Sequence, residues 1–334
     1  TAAFGLEAVV AHELRALGYD NLSTTNGRVA FHADISAIPR CNLWLRSADR
    51  LLIQVGQFKA ATFDELFEQT RTLPWPDLLP ENACFPVQGK SIKSRLFSVS
   101  DCQAIVKKAI VEKMKTRYHR QWFDETGPRY KIEVGLLNDT ATLTIDTSGA
   151  GLHKRGYRKL SHRAPLKETL AAALVQLSRW RSDRAFIDPF CGSGTIPIEA
   201  ALIGRNMAPG LFRNFDAEYW PTAPIGLWQK ARQEARDLIK ARPCSGIQGF
   251  DIDSESILMA RFHADQAGLK KDIHFEHKNI KDIVSPFEFG YLIGNPPYGE
   301  RIAERTQLNE LYKDMSDLLE RLNTWSFYIL SAEL

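Results

Sequence analysis

Near the carboxyl end of the chain, the stretch Asn295-Pro296-Pro297-Tyr298 carries groups suited to holding a planar amine. The prolines stop the apolar run Tyr291-Leu292-Ile293-Gly294 and stiffen the turn, Pro297 forcing Pro296 out of the α region. Pro297 has no N–H, so the turn offers carbonyl oxygens and the Asn295 amide rather than a row of donors. The Asn295 side-chain oxygen and the Pro296 carbonyl can accept the two N–H bonds of an exocyclic amine, while Tyr298 stacks on the ring that bears it. A rigid Pro-Pro turn with an Asn cap is the plain alternative. The apolar run reads as a buried parallel strand, which puts the turn at a strand's carboxyl end, where open α/β sheets keep their ligands.

A second constellation has the pattern of a nucleotide site. Ala185-Phe186-Ile187-Asp188 reads as a short strand, Pro189 to Thr195 (PFCGSGT) as a glycine turn, and Ile196 to Gly204 as the helix behind it. Glycines let a ligand approach the backbone, and the helix N-terminus offers N–H groups. A Gly-x-Gly alone occurs in many tight turns; the strand, Asp, turn and helix around it give it weight. A second strand, Gly246 to Phe250, ends in Asp251-Ile252-Asp253. Asp253 is placed to cap the helix Ser254 to Ala267, leaving Asp251 to accept from ribose hydroxyls. In a dinucleotide site the acid follows the glycines by about twenty residues. Here the aromatic, Pro-rich stretch Asn206 to Trp228 intervenes, which argues against a dehydrogenase and for a different adenosyl cofactor. A third strand, Asp272 to Glu276, leads to Asn279-Ile280-Lys281-Asp282, where either Asn279 or Asp282 can bond an adenine amine. Residues 291–294 and Ser326 to Leu330 make the fourth and fifth strands.

These motifs need a large α/β scaffold, and 334 residues with 44% hydrophobic and 25% charged side chains supply one of ordinary soluble composition. The five cysteines are scattered and odd in number, which speaks against a zinc site or a disulfide framework and for a reduced, cytoplasmic setting. No apolar run is long enough to span a bilayer, and no signal-peptide pattern is present. The net charge of +3 conceals a partition. Residues 1–89 carry −3 (7 basic, 10 acidic), residues 90–163 carry +9 (16 and 7), and residues 164–334 carry −3 (20 and 23). A positive segment of this size is the footprint of a polyanion-binding surface, with a solvated basic face as the plain alternative.

Ahead of the nucleotide motifs, Gly5 to Gly18 reads as a helix with a glycine cap, Asn26-Gly27 as a hairpin turn, Ile35 to Ala48 as a helix and Arg50 to Phe58 as a strand. With a first strand clipped at Thr1, the order suggests a small ferredoxin-like sandwich. A second α/β module follows: a helix at Thr62 to Thr72, a strand at Cys84 to Lys90, a long helix capped by Ser100 and reaching Tyr118, and a hairpin of Tyr130 to Leu137 with Ala141 to Thr147. Its cations Lys90, Lys93, Arg95, Lys107, Lys108 and Lys115 are candidate phosphate contacts. The connector Gly151 to Arg163 has five Lys or Arg and no acid, including Lys154, Arg155 and Arg158. It reads as a basic strap along RNA backbone or as a flexible linker.

Asp188-Pro-Phe-Cys-Gly-Ser-Gly-Thr195, Gly249-Phe-Asp-Ile-Asp253 and Asn295-Pro-Pro-Tyr-Gly-Glu-Arg301 together resemble the class I S-adenosylmethionine (SAM)-dependent methyltransferases that act on exocyclic amines. With Gly151-Leu-His-Lys-Arg-Gly-Tyr-Arg158 and the modules before it, nearly the whole chain is similar to the THUMP-containing bacterial 23S rRNA guanine-N2-methyltransferases. The resemblance implies ferredoxin-like (1–58) and THUMP (59–150) modules, a basic linker (151–165) and a Rossmann-like class I methyltransferase sheet (166–334). It implies that Asp188, Phe190, Gly192 and Gly194 hold the methionine end of SAM, Asp251 the ribose, and Asn279 or Asp282 the adenine, although the family often carries Asp where Asn279 stands. Asn295, Pro296, Pro297 and Tyr298 would hold the target base, with S-adenosyl-L-homocysteine (SAH) as product and no metal. Structured RNA, foremost 23S rRNA, is the expected partner. Transfer RNA guanine-N2 and nucleic-acid adenine-N6 are alternative targets, and a non-catalytic RNA-binding protein with a dead nucleotide fold is a third reading. A class I sheet has seven strands, and five are placed here, so a trimmed C-terminus is expected.

Overall fold

The computed structural model describes residues 1–160, 166–242, 244, 246–297 and 304–331, without the side chains of 304–308. The N-terminal part runs α1 (Glu7–Ala16), β1 (Leu22–Thr25), β2 (Arg28–Phe31), α2 (Ala37–Trp44) and β3 (Leu52–Lys59). β1 and β2 pair as an antiparallel hairpin across Asn26-Gly27. The expected first strand is represented by a bridge between Ala2 and Ala48. β3 does not pair with the hairpin; it pairs antiparallel with a strand of the following sheet, from Leu52 opposite Asp146 to Lys59 opposite Thr140. A partly covered strand carries no local mark of its partner, so the sequence could place it without saying what it joins.

The chain continues through α3 (Phe63–Thr72), α4 (Trp75–Leu78), β4 (Val87–Ile92), α5 (Val99–Tyr118), β5 (Lys131–Leu137) and β6 (Thr140–Asp146). Thr62 and Glu65 close a capping box at the start of α3. The expected Ser100 cap lies inside α5, whose cap position is Ser98. Cys102, Val106, Ile110 and Met114 bury one stripe of α5, the helical spacing that seats it on the sheet. The sheet runs β3-β6-β5-β4, with β4 and β5 parallel and the other pairs antiparallel. The β5–β6 turn holds Asn138 and Asp139 at φ +50° and +56°, the left-handed pair that tight hairpins require.

The remainder contains α6 (Glu168–Leu177), β7 (Ala185–Asp188), α7 (Thr195–Gly204), α8 (Ile225–Asp237), β8 (Ile247–Asp251), α9 (Ser254–Gln266), β9 (Ile273–His277), β10 (Gly290–Gly294), α10 (Glu304–Arg321) and β11 (Ser326–Ile329). The five strands form a parallel sheet in the order β11-β10-β7-β8-β9. The chain enters at the central β7, steps outward through β8 and β9, then reverses to β10 and β11. The reversal leaves a crevice between the carboxyl ends of β7 and β10, the switch point at which such sheets bind ligands. The aromatic stretch before α8 packs on both preceding modules, the Gly210 N–H donating to the Leu43 carbonyl. Trp220 stacks on Tyr130 at 4.4 Å between ring centroids and donates to the Arg129 carbonyl at 2.8 Å, and Phe215 stacks on Trp228. Among the described residues no helix is long and apolar enough to cross a membrane.

Candidate active site

Asp188, at the carboxyl end of β7, is 1% exposed. Its Oδ1 accepts from the Phe190 N–H at 3.0 Å, and its Oδ2 is buried without a hydrogen-bond partner among the described residues. Burial drives this carboxyl well above its ordinary pKa; the Phe190 N–H pulls the other way and the Asp251 charge pushes it further up. The turn that follows is held by Cys191 N–H donating to the Phe250 carbonyl at 2.9 Å and Gly194 N–H to the Cys191 carbonyl at 2.8 Å. Gly192 and Gly194 take φ of +51° and +85°, conformations that side-chain-bearing residues rarely adopt. A Cβ at Gly192 would meet nothing within 4 Å, so the turn is open to an approaching group, whereas one at Gly194 would stand 2.9 Å from Ala260 and Phe275.

Asp251 ends β8 and joins this turn. Its Oδ2 accepts from the Gly192 N–H at 2.8 Å and its Oδ1 from the Asp253 N–H at 2.9 Å. Asp253 caps α9 by accepting from the Glu255 and Ser256 N–H groups. Asp253 is the helix cap, as expected, and each Asp251 oxygen keeps lone-pair capacity for a further donor. The Lys278 N–H bonds to the Asp251 carbonyl at 3.0 Å, bringing the end of β9 alongside. There Asn279 Oδ1 accepts from the Lys281 N–H at 3.1 Å and opens a single 3-10 turn that ends at the exposed Asp282.

Asn295 follows β10 directly and is half-buried; Pro296 is buried and Pro297 exposed. A Cβ at Gly294 would stand 3.2 Å from Pro189 Cδ and 3.3 Å from Phe190, so the end of β10 lies against the turn after β7. Asp188, Phe190, Gly192, Gly194, Asp251, Asn279, Asp282, Asn295 and Pro296 therefore share the carboxyl edge of one sheet, while Tyr298 lies outside the described residues. Burial pushes the Cys191 thiol in this turn well above its ordinary pKa, as do the Asp188 and Asp251 charges, which disfavours a thiolate nucleophile. Among the described residues no group of three His, Cys, Asp or Glu side chains is placed to hold a metal ion. A cavity of about 1010 Å³ between the β1–β2 hairpin and the sheet of β3 to β6, lined by Arg28, Phe31, Ile53 and Tyr130 among others, contains none of the expected site residues.

The expected phosphate contacts separate into groups. Lys90, Lys107 and Lys115 pair with Glu133, Glu125 and Glu112 at 2.6 to 2.8 Å. Lys93, Arg95, Lys108 and Lys154 are exposed. Arg158 is partly buried, with its guanidinium on Thr195 Oγ1 at 2.6 Å, the Leu166 carbonyl and the Glu168 carboxylate. Arg155 corrects the expectation outright: it is 2% exposed, faces Glu199 at 3.4 Å and donates to the carbonyls of Leu152 and Arg46, leaving no surface for a phosphate. Its type and place in a basic run marked it as a surface residue, and its partner stands 44 positions away. Arg155→Ala is expected to lower stability to chemical denaturant by about 3 kcal/mol, because it leaves the buried Glu199 carboxylate without its ion-pair partner and with only the Tyr157 hydroxyl bonded to it. A fall in stability of under about 1 kcal/mol, the range of an exposed pair, would contradict this.

One surface feature passed unnoticed in the sequence. From Lys93 to Phe97 the side chains alternate, with Lys93, Arg95 and Phe97 exposed, Ser94 half-buried and Leu96 buried. Phe97 is 83% exposed. Ser91 Oγ donates to the Leu96 carbonyl, Ser94 Oγ donates to the Ile92 carbonyl and accepts from the Asp139 N–H, and Asp139 Oδ1 accepts from the Arg95 N–H at 2.7 Å. The loop is thus pinned from inside while two cations and a ring face outward. The out-in alternation of Lys93, Ser94, Arg95, Leu96 and Phe97 was the available signal.

Three family models match the chain: the RlmL ferredoxin-like domain over residues 1–52, the THUMP domain over 60–146, and the RMKL-like methyltransferase domain over 155–334. The chain belongs to the RlmK/L-like methyltransferase family. It is 52% identical, over 99% of its length and 86% of the relative's, to the Bacillus subtilis protein named "Putative RNA methyltransferase YpsC". It is 34% identical to the "Ribosomal RNA large subunit methyltransferase K/L" of Syntrophotalea carbinolica, over 96% of this chain and 46% of that protein. Among solved structures it superposes with a TM-score of 0.96 and 54% identity on a Listeria monocytogenes protein described as "a predicted N6-adenine-specific DNA methylase", covering all of this chain and 88% of the other. SMU.472, described as "a putative methyltransferase complexed with SAH", matches with a TM-score of 0.94 and 45% identity over 99% of this chain and 88% of that one.

As a member of the RlmK/L-like family the chain is a methyltransferase, and its cofactor is SAM. The residues present fit that molecule. Asp188 Oδ2 is an acceptor buried without a partner, suited to the ammonium of an amino acid; the Gly192 turn is open; and Asp251 keeps acceptor capacity for ribose hydroxyls.

Proposed function

We propose that the chain methylates the exocyclic N2 of a guanine in structured RNA, foremost 23S rRNA. The observation that carries this reading is the meeting, at the β7/β10 switch point, of Asp188, whose Oδ2 has no partner among the described residues, with the Asn295-Pro296-Pro297 turn. Asp188, Phe190, Gly192 and Gly194 hold the amino-acid end of the cofactor, Asp251 its ribose, and Asn279 or Asp282 its adenine. Bound SAM supplies an electrophilic methyl group on a sulfonium. Asn295 Oδ1 and the Pro296 carbonyl accept the two N–H bonds of the amine. This helps turn a lone pair otherwise conjugated with the ring toward the methyl, and positioning supplies the in-line approach. Stacking by Tyr298 belongs to the same proposal. The base must leave its stack to enter, which favours a loop or unpaired guanine.

The divisions at residues 58, 150 and 165 are part of this reading, with the middle module and the exposed cations of the connector as the RNA-holding surface. Support for RNA comes from the +9 segment, the THUMP match and the relative named for ribosomal RNA. The Listeria protein's description favours adenine N6 in DNA as the second reading, since the same clamp would hold that amine. Methyl transfer to unmodified ribosomal RNA, transfer RNA and duplex DNA, with the product nucleoside identified, decides between them. Label on N2-methylguanosine in ribosomal RNA is expected, and label confined to DNA N6-methyladenine would overturn the RNA reading.

Replacing Lys93, Arg95 and Lys154 together by Ala is expected to lower the magnitude of the log-affinity versus log-salt slope for single-stranded RNA by about 2. Phe97→Ala is expected to weaken binding about tenfold with the slope unchanged, because a base lost from a ring costs about 1–3 kcal/mol without freeing counterions. Fluorescence anisotropy across a salt series measures both. Slopes identical to the wild-type slope for the triple variant would make these cations ordinary surface charge.

A further inference from the structure

The connector reaches the Gly192 turn through His263, to which no assignment above gives a part, and through Arg158, which the sequence marks as a phosphate contact. His263, on α9, is fully buried. Its Nδ1 lies 3.1 Å from the carbonyl oxygen of Ser193, between Gly192 and Gly194, and its Nε2 lies 3.4 Å from the backbone nitrogen of Leu160 in the connector. One tautomer satisfies both contacts: Nδ1–H donates to Ser193, and Nε2 accepts from Leu160. Burial lowers the His263 pKa, in keeping with a neutral ring. Two positions earlier in the connector, Arg158 donates to the hydroxyl of Thr195, the first residue of α7, and is itself anchored by Glu168. Tyr157 and Arg155 both bond to Glu199 further along the same helix. Along the connector, residues 155, 157 and 158 grip α7 and residue 160 reaches its turn through His263, while Lys154 and Lys159 face outward.

The turn is thus fixed at three successive points. Asp251 holds the Gly192 N–H from the ligand side, His263 holds the Ser193 carbonyl from behind, and Arg158 holds Thr195 at the helix start. Glycines at 192 and 194 give the backbone between them wide conformational freedom, so external ties must choose its conformation. We propose that the connector sets the cofactor-binding conformation of this turn through His263 and Arg158, acting as positioning residues. Neither has to touch SAM; each orients a peptide or helix end that does.

The proposal concerns cofactor affinity alone and holds whichever nucleic acid is the substrate. SAH titrated calorimetrically into the full chain tests it, with melting temperature as the check on folding. His263→Leu fills the site but donates nothing, and is expected to bind SAH about tenfold more weakly, the loss of one buried hydrogen bond. His263→Asn places an amide N–H close to the position of Nδ1 and should recover most of that loss, which a role in packing alone would not predict. Arg158→Met should weaken SAH about tenfold through Thr195, and it carries the test if the leucine variant does not fold. A folded His263→Leu or Arg158→Met protein with wild-type SAH affinity, or an asparagine variant as weak as the leucine one, overturns the proposal.

Discussion

Asn295→Ala is expected to reduce methyl transfer by about 10³-fold while SAH binding stays within about twofold of wild type. The argument rests on where Asn295 sits. It follows a strand whose last residue packs against Pro189 and Phe190, so β10 and the Asp188 turn position its backbone. Truncation should leave the cofactor crevice intact and remove one of two acceptors from the amine. An acceptor whose value is realised as the lone pair turns toward the methyl acts on kcat more than on KM. Single-turnover transfer and SAH calorimetry on one preparation separate the outcomes. Equal losses in transfer and in SAH affinity would make Asn295 a structural residue, returning the turn to its plain reading.

For Asp188→Asn the two observables should move in opposite directions: SAH affinity falls about 100-fold and the melting temperature rises. The amide keeps the Oδ1 that accepts from Phe190 but carries no charge to desolvate. The sign of the pH dependence follows from the raised folded-state pKa of the carboxyl, pushed up first by burial. Between its ordinary value and that higher one, the folded chain binds a proton that the unfolded chain has released. Wild-type stability is therefore lost as pH rises through this window. Asn does not titrate, so the melting-temperature gap in favour of Asp188→Asn should widen with increasing pH. A gap that narrows with pH, or undiminished SAH affinity, would show that Asp188 is a satisfied structural acid. A buried carboxyl oxygen with no partner among the described residues represents stability given up for a ligand, a trade common in binding sites.

What the sequence made legible was local. The strand, Asp, glycine turn and helix around Gly192 were readable because each step changes backbone geometry over a few residues, and Asp251 and Asp253 separated because an N-cap has a fixed offset from its helix. What stayed hidden depended on distant partners. Arg155 looked like a surface cation until Glu199 met it, and the aromatic stretch before α8 gave no sign that Trp220 would stack on Tyr130. His263 had no motif of its own; its role depends on a carbonyl 70 positions away. Helix ends and strand positions follow from short-range rules, whereas the partner of a strand and the burial of a charged group are decided by the assembled core.

The pairing of β3 with β6 bears on how this protein can be divided. A chain cut near residue 60 would separate two family-model matches cleanly in sequence, yet it would strip Leu52–Lys59 from the sheet and leave Thr140–Asp146 as a bare edge. Open edges of that length recruit other strands and aggregate. The first and middle modules are thus expected to gain and lose their order together, as one cooperative unit closed by contacts between residues 81 to 94 positions apart. An isolated middle module would be a sheet missing its outermost strand. The surface that carries Lys93, Arg95 and Phe97 keeps its shape only with the N-terminal residues in place.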